Sequence, residues 1–349
     1  MGKKEKTILL IGNFLSRKGA NPAPIETLKT KLEISGFKVI HAQSFPNKYL
    51  RMFYRTFHLL INIKKVDIVS IDVYSGDAFL WAAISGKICR IYNKPYICAL
   101  RGGNLPSFSR THRQKIIILL SGAKRVISLS HYLIDLFQTS DIQIELIPSA
   151  IDLSLFDYHL RNTLGPKLFW LRAFHSIYNP QMAIQTLAII KKKYPTACLT
   201  MAGPDKGEME NCKKLAVEMG VRKQVFFPGK ITKSQINKMA KEHDIFINTT
   251  NIDNTPVSVI EAMALGMPVV SADVGGIPYL IKHGENGLLV SPGNSDEMAK
   301  KILKLISDKE LATELSIKGR KTAERFDWKQ IFPLWDELFK KLISNNING

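Results

Sequence analysis

Residues 251–276 read NIDNTPVSVIEAMALGMPVVSADVGG. The stretch follows a buried-strand pattern, Ile245–Asn248, and predicts a loop, a helix from about Pro256 to Gly266, a strand over Pro268–Ser271 and a glycine turn at Gly275-Gly276. Proline suits a first helical turn, where an N–H has no intrahelical acceptor. The next amides, Val257 and Ser258, then point out of the helix at the positive end of its dipole and favour an anion. Glu261 lies one turn further in and Asp253 precedes the helix, so both carboxylates can accept hydrogen bonds from hydroxyls flanking a phosphate. The ordinary alternative is a plain strand–helix–strand unit, with Asp253 or Asn254 as N-cap and Glu261 in solvent.

Working outward, apolar runs at 8–11, 68–71, 96–100, 126–129 and 145–147 alternate with helix-like stretches. A second set follows at 168–171, 198–202, 225–227, 245–248 and 268–271. Such alternation predicts parallel sheets, and two sets in 349 residues predict two Rossmann-like domains. The polar stretch 157–167 reads as the boundary, giving domains over 1–160 and 161–325 and an aromatic-rich terminal helix over 326–349. Four scattered cysteines, Cys89, Cys98, Cys198 and Cys212, have neither disulfide-framework nor zinc spacing. The N-terminal MGKKEKTILLIGNFL reads as a first strand rather than a secretion signal, and no apolar run reaches the roughly 18 residues of a membrane span. The expectation is a cytoplasmic protein.

The net charge of +19 calls for an anionic partner. Its sharpest concentration is 47–65, NKYLRMFYRTFHLLINIKK, five basic residues without an acid and with aromatics set among them. As a helix it would press an aromatic face into an anionic membrane surface, with Lys48, Arg51 and Arg55 at the headgroups; a core-facing helix with a solvated basic rim is the alternative. No nucleic-acid recognition motif is present.

The ordered string Asp253-(x7)-Glu261-Ala262-Met263-Ala264, Gly266, Pro268-Val269-Val270, Gly275-Gly276-Ile277-Pro278 and Asn286-Gly287-Leu288-Leu289-Val290 resembles the donor-site signature of the family 4 retaining glycosyltransferases, group 1 enzymes of GT-B fold. Asp253 stands where that family usually has Glu, Pro256 replaces a common glycine, and Tyr279 replaces a frequent Glu. The resemblance implies an α/β protein of two Rossmann-like domains with parallel sheets facing across an interdomain cleft. It implies a hexosyltransferase-type enzyme that moves sugar, with retention, from a nucleotide-sugar to a glycan or lipid-linked acceptor in surface polysaccharide or glycoconjugate synthesis. No metal or other cofactor is expected. Arg172, Asp253 and Glu261 become the catalytic set. Gly203, Gly229, Lys230, Val257, Ser258 and His175 become donor-binding residues, and Gly19, Asn21, Arg101 and Gly102 lie on the acceptor side. Arg172 matches the family's diphosphate-binding Arg, whose fork suits phosphate oxygens. The Lys that accompanies it is missing, leaving His175, Tyr178 or Asn179 to share its work. The terminal helix is expected to pack back on the first domain, and the basic segment 47–65 places the enzyme peripherally at the inner face of the cell membrane, from which a lipid-linked or membrane-proximal acceptor follows. A nucleotide-sugar epimerase of the same architecture and a non-catalytic donor- or glycan-binding subunit are the competing readings.

Overall fold

The computed structural model describes residues 5–14, 23–42 and 48–345. They form two compact units: Met1–Ala150 with Lys329–Gly349, and Ile151–Trp328. Each unit is built on a six-stranded, wholly parallel sheet with helices packed on it.

In the first unit the strands are β1 (Thr7–Ile11), β2 (Lys38–His41), β3 (Ile68–Val73), β4 (Tyr96–Leu100), β5 (Arg125–Ser128) and β6 (Ile144–Leu146). Their order is β2-β1-β3-β4-β5-β6. In the second they are β7 (Lys167–Leu171), β8 (Cys198–Ala202), β9 (Val225–Gly229), β10 (Ile245–Asn248), β11 (Val269–Ala272) and β12 (Leu288–Val290), ordered β12-β11-β10-β7-β8-β9. Chain order therefore reverses between β1 and β3 in one sheet and between β7 and β10 in the other. The crevice beyond the carboxyl ends at such a switch point is where doubly wound sheets bind ligands.

The central strands β1, β3, β4, β10 and β11 are buried along their whole length, as continuous apolar runs predict. The sequence patterns miss β2 and β12, each the outermost strand at one end of its sheet. Each is short: β2 (KVIH) has two apolar residues and is nowhere fully buried, and β12 (LLV) is only three residues long.

The division between units falls at Ala150/Ile151, not in the polar stretch 157–167. Polarity there serves packing rather than a linker. Arg161 is only 7% exposed; its guanidinium donates to Leu265 O at 2.8 Å, His159 O at 2.6 Å and Ala240 O at 2.5 Å. It thereby adds a donor to carbonyls at the ends of the helices Val257–Ala264 and Lys233–Glu242, where Leu265 O also accepts from His159 N–H at 3.3 Å and Ala240 O from His243 N–H at 3.4 Å. Gly266, with φ +77°, closes the first of these helices so tightly that a Cβ would sit 2.3 Å from His159 O.

All but the first residue of the helix Trp328–Asn345 belongs to the unit of residues 1–150. Phe339 meets Phe37 edge-on at 6.3 Å, and Asp336 accepts from the Ser35 hydroxyl at 2.6 Å. The four cysteines are free, with Cys198 half-buried and the others buried. Ser130 caps the helix His131–Phe137 by accepting from Leu133 N–H at 3.4 Å.

The basic segment forms a helix over Lys48–Asn62. Leu50, Phe53, Phe57, Leu60 and Ile61 are exposed, Phe53 by 73% and Phe57 by 51%, and the two phenyl rings stack at 6.4 Å. Arg55 does not join them at the surface. It shares the inward face with Leu59 and Ile63 at four-residue spacing, and donates to Asn13 Oδ1 at 3.3 Å. The side chain of Lys48 lies outside the described residues. Among the described residues no helix is long and apolar enough to cross a membrane.

Candidate functional site

The second sheet's switch point carries the residues singled out in the sequence. Arg172 stands directly after β7 and Asp253 follows β10. The guanidinium donates from Nη2 to Asp253 Oδ2, closing an ion pair across the point where strand order reverses. Tyr178 lies under the guanidinium, 4.9 Å from ring centroid to Cζ. Burial pushes the Asp253 carboxyl above its usual range, against the opposing pull of Arg172.

Both loops are stitched in place by their backbones. Asn251 N–H donates to Ile177 O at 2.8 Å, and the hydroxyls of Thr249 and Thr250 donate to Tyr178 O and Ile177 O at 2.9 and 3.1 Å. Thr249 in turn accepts from the buried Trp170 indole at 3.0 Å. Gly276 N–H donates to Asp253 O at 3.0 Å, and a Cβ on Gly276 would lie 1.7 Å from Asn254 O. Only glycine permits that approach.

The helix Val257–Ala264 begins one residue later than the sequence predicts. Pro256 occupies the N-cap with an extended backbone (φ −71°, ψ 106°) and gives no side-chain cap. Its carbonyl accepts from Val259 and Ile260, so the amides of Val257 and Ser258 precede the helix's own bonds. Neither Asp253 nor Asn254 is the N-cap, and Glu261 is only 4% exposed. The ordinary strand–helix–strand alternative therefore fails on both counts.

Glu261 is instead met by Lys233, whose Nζ donates to Glu261 Oε1. Lys233 opens the helix Lys233–Glu242, its ammonium 5.4 Å from the Phe156 ring centroid, and burial lowers it to about 8. Sequence reading missed this residue. A signal existed: Thr232 and Gln235 form a capping box that marks Lys233 as a first-turn residue. A cation there opposes the helix dipole, so its placement serves something other than helix stability.

Gly203 and Gly229 end β8 and β9 in left-handed backbone, φ +148° and +74°. Gly203 N–H donates to Gly229 O at 2.8 Å, and a Cβ on Gly203 would lie 1.7 Å from Arg172 O. The two glycines thus bring the ends of β7, β8 and β9 together, and Lys230 follows them, exposed. His175 is exposed; its Nδ1 accepts from Ile177 N–H at 3.2 Å and caps the turn Ser176–Tyr178. Three buried polar atoms along this edge have no hydrogen-bond partner: Arg172 Nε, Asn248 Oδ1 and Ser258 Oγ. Buried groups of that kind are normally satisfied, which marks this edge as built for something polar.

In the first unit, Arg101 follows β4 and donates from Nε to Asp72 Oδ1 at 2.5 Å, with Trp335 6.0 Å from its guanidinium. It is a nearly buried ion-pair partner. A Cβ on Gly102 would lie 3.0–3.3 Å from Leu105 and the backbone of Tyr74 and Ser75. Gly19 and Asn21 lie outside the described residues.

Residues 159–322 match the family model described as "Glycosyl transferases group 1". EpsD of Bacillus subtilis is 33% identical over 149 residues, which cover 42% of this chain and 38% of EpsD. The chain therefore spans well under half the length of that relative. Among solved structures, a sucrose-phosphate synthase from Thermosynechococcus elongatus superposes with a TM-score of 0.82 over 98% of this chain and 100% of its own, at 18% identity. HepE of Anabaena, in complex with UDP and glucose, superposes with a TM-score of 0.76 over 97% and 100%, at 17% identity. At those identities the likeness concerns the fold, the two Rossmann-like sheets of the GT-B architecture. Over residues 159–322, a little under half of its length, the chain is similar to the group 1 glycosyl transferases.

Proposed function

We propose that the chain is a retaining, hexosyltransferase-type glycosyltransferase that moves a sugar from a nucleotide-diphosphate sugar to a glycan or lipid-linked acceptor. The observation that carries this reading is the Arg172–Asp253 pair beside the open amides of the helix Val257–Ala264. A cation and a helix N-terminus suit a diphosphate, Asp253 suits sugar hydroxyls, and Glu261 suits ribose hydroxyls. HepE binds UDP and glucose on the same fold, which supports a nucleotide ligand. In the proposed reaction the bond from the anomeric carbon to the diphosphate breaks, and charge growing on the leaving oxygen is met by Arg172 and the amides. The acceptor hydroxyl bonds to the same face of that carbon and passes its proton to the departing phosphate. Asp253 and Glu261 each hold a cation and so are poor nucleophiles, which supports transfer without a covalent intermediate. The positive charges already present assign no role to a metal.

Incubation with a panel of UDP-, GDP- and ADP-sugars tests the reading. Release of nucleoside diphosphate, with thermal stabilisation by the same donor, is expected; interconversion of sugars without release would favour the epimerase. Stabilisation without turnover, even with acceptors supplied, would favour a binding subunit. Absence of every response contradicts the proposal.

The stripe Leu50, Phe53, Phe57, Leu60 and Ile61, with Arg51, Lys64 and Lys65 on the same segment, supports docking of this helix on an anionic lipid surface, as at the inner face of a cell membrane. Salt-sensitive sedimentation with phosphatidylserine vesicles, lost on replacing Phe53 and Phe57 by Ser, is expected. No sedimentation of the unaltered chain would remove this part.

A further inference from the structure

Both carboxylates at the second unit's switch point already hold a cation: Arg172 is on Asp253 and Lys233 is on Glu261. Both carboxylates are nearly buried, while Lys233 keeps about a third of its side chain open to solvent. The amides of Val257 and Ser258 and the unpartnered Ser258 Oγ sit in the first turn of the helix that carries Glu261. The buried Nε–H of Arg172 has no acceptor.

We infer that the site is self-paired and works by exchange, so that a diphosphate must draw Arg172 and Lys233 off their carboxylates, and only a ligand with hydroxyls on both sides of the diphosphate re-pairs them. Lys233 is then a second anion-binding group, supplied by the first turn of the helix that follows β9. A buried carboxylate stripped of its cation is costly, and hydroxyl donors are the neutral groups able to repair that loss. A nucleotide sugar brings ribose hydroxyls to Glu261 and sugar hydroxyls to Asp253. Inorganic diphosphate brings neither, and a nucleoside diphosphate leaves Asp253 bare. The pairs therefore discriminate against bare anions by leaving buried groups unsatisfied, the physical basis of strong rejection. After transfer, Asp253 competes with the product for Arg172, which favours release of the nucleoside diphosphate.

The inference rests on the donor reading above, and calorimetric titration separates the two. The ligands are inorganic pyrophosphate, a nucleoside diphosphate and the corresponding nucleotide sugar, added to the unaltered chain, Glu261→Gln and Lys233→Met. Glu261→Gln removes the charge that holds Lys233, so pyrophosphate is expected to bind about 10-fold tighter, equivalent to about 1.4 kcal/mol, although a carboxylate has been lost. Lys233→Met is expected to weaken pyrophosphate and nucleotide sugar alike. Asp253→Asn frees Arg172 in the same way, and is expected to narrow the preference for nucleotide sugar over nucleoside diphosphate. It also serves if Glu261→Gln fails to fold. Unchanged or weaker pyrophosphate binding in both carboxylate variants overturns the exchange, even where the nucleotide sugar binds and the donor reading stands. Tightened pyrophosphate binding, with no nucleotide sugar bound by any form, keeps the exchange and removes the donor reading.

Discussion

Replacing Gly276 by Ala probes the site through one contact. Gly276 has φ −84°, which any residue adopts, so backbone strain plays no part. The added Cβ would lie 1.7 Å from Asn254 O, whereas a carbon–oxygen contact settles at about 3.3 Å. The loop carrying Asp253 must therefore retreat by roughly 1.6 Å, stretching or breaking the bond from Gly276 N–H to Asp253 O. Overpacking of this kind costs about 1–3 kcal/mol. At about 2–4 °C per kcal/mol, the melting temperature should fall by roughly 2–12 °C with the fold retained. Displacement of a substrate-positioning group by about 1 Å costs about 100-fold in rate. Donor turnover should accordingly fall about 100-fold or more, while circular dichroism at 25 °C stays unchanged. The assay is nucleoside diphosphate release alongside a thermal melt. Wild-type turnover in Gly276→Ala would refute the claim that Asp253 must be held where this loop holds it.

Arg161→Met takes a charged donor from three carbonyls, two of which keep a backbone N–H, and should destabilise the second unit by about 2 kcal/mol in urea unfolding; a loss below about 0.5 kcal/mol would show that the strap is incidental. Lys233 is cationic below about 8 and neutral above it, so donor turnover should decline as pH rises through that value. Lys233→Arg, whose charge persists, should flatten the decline in the pH–rate profile. Turnover should be unaffected by excess EDTA, because the cations proposed for the diphosphate are side chains; a loss restored by a divalent ion would contradict that assignment.

The central strands were legible because strands buried on both faces leave continuous apolar runs, as in Ile245–Asn248 and Tyr96–Leu100. Strands β2 and β12 were not: β2 places only Val39 and Ile40 between Lys38 and His41, and the three residues of β12 were read only as part of the resembling string. Asp253, Glu261 and Arg172 were legible from spacing and resemblance, but their pairing was not. Which cation meets which carboxylate depends on strand order, and β9 and β10 are consecutive in sequence yet separated by β7 and β8 in the sheet. That separation hid Lys233. Polarity also misled twice, at Arg161 and Arg55, because a buried guanidinium that binds carbonyls or an amide reads in sequence like any surface charge. Gly203 and Gly276 could be read as turn residues, whereas their close approach to Arg172 O and Asn254 O required coordinates.

The most direct test of a nucleotide-sugar site at the second sheet's switch point is a crystal structure of the chain with its preferred donor, chosen from the turnover panel. The diphosphate is expected against Arg172, Lys233 and the amides of Val257 and Ser258, with ribose hydroxyls on Glu261 and sugar hydroxyls on Asp253. A donor bound elsewhere, or one seated there with both ion pairs intact, would contradict the account.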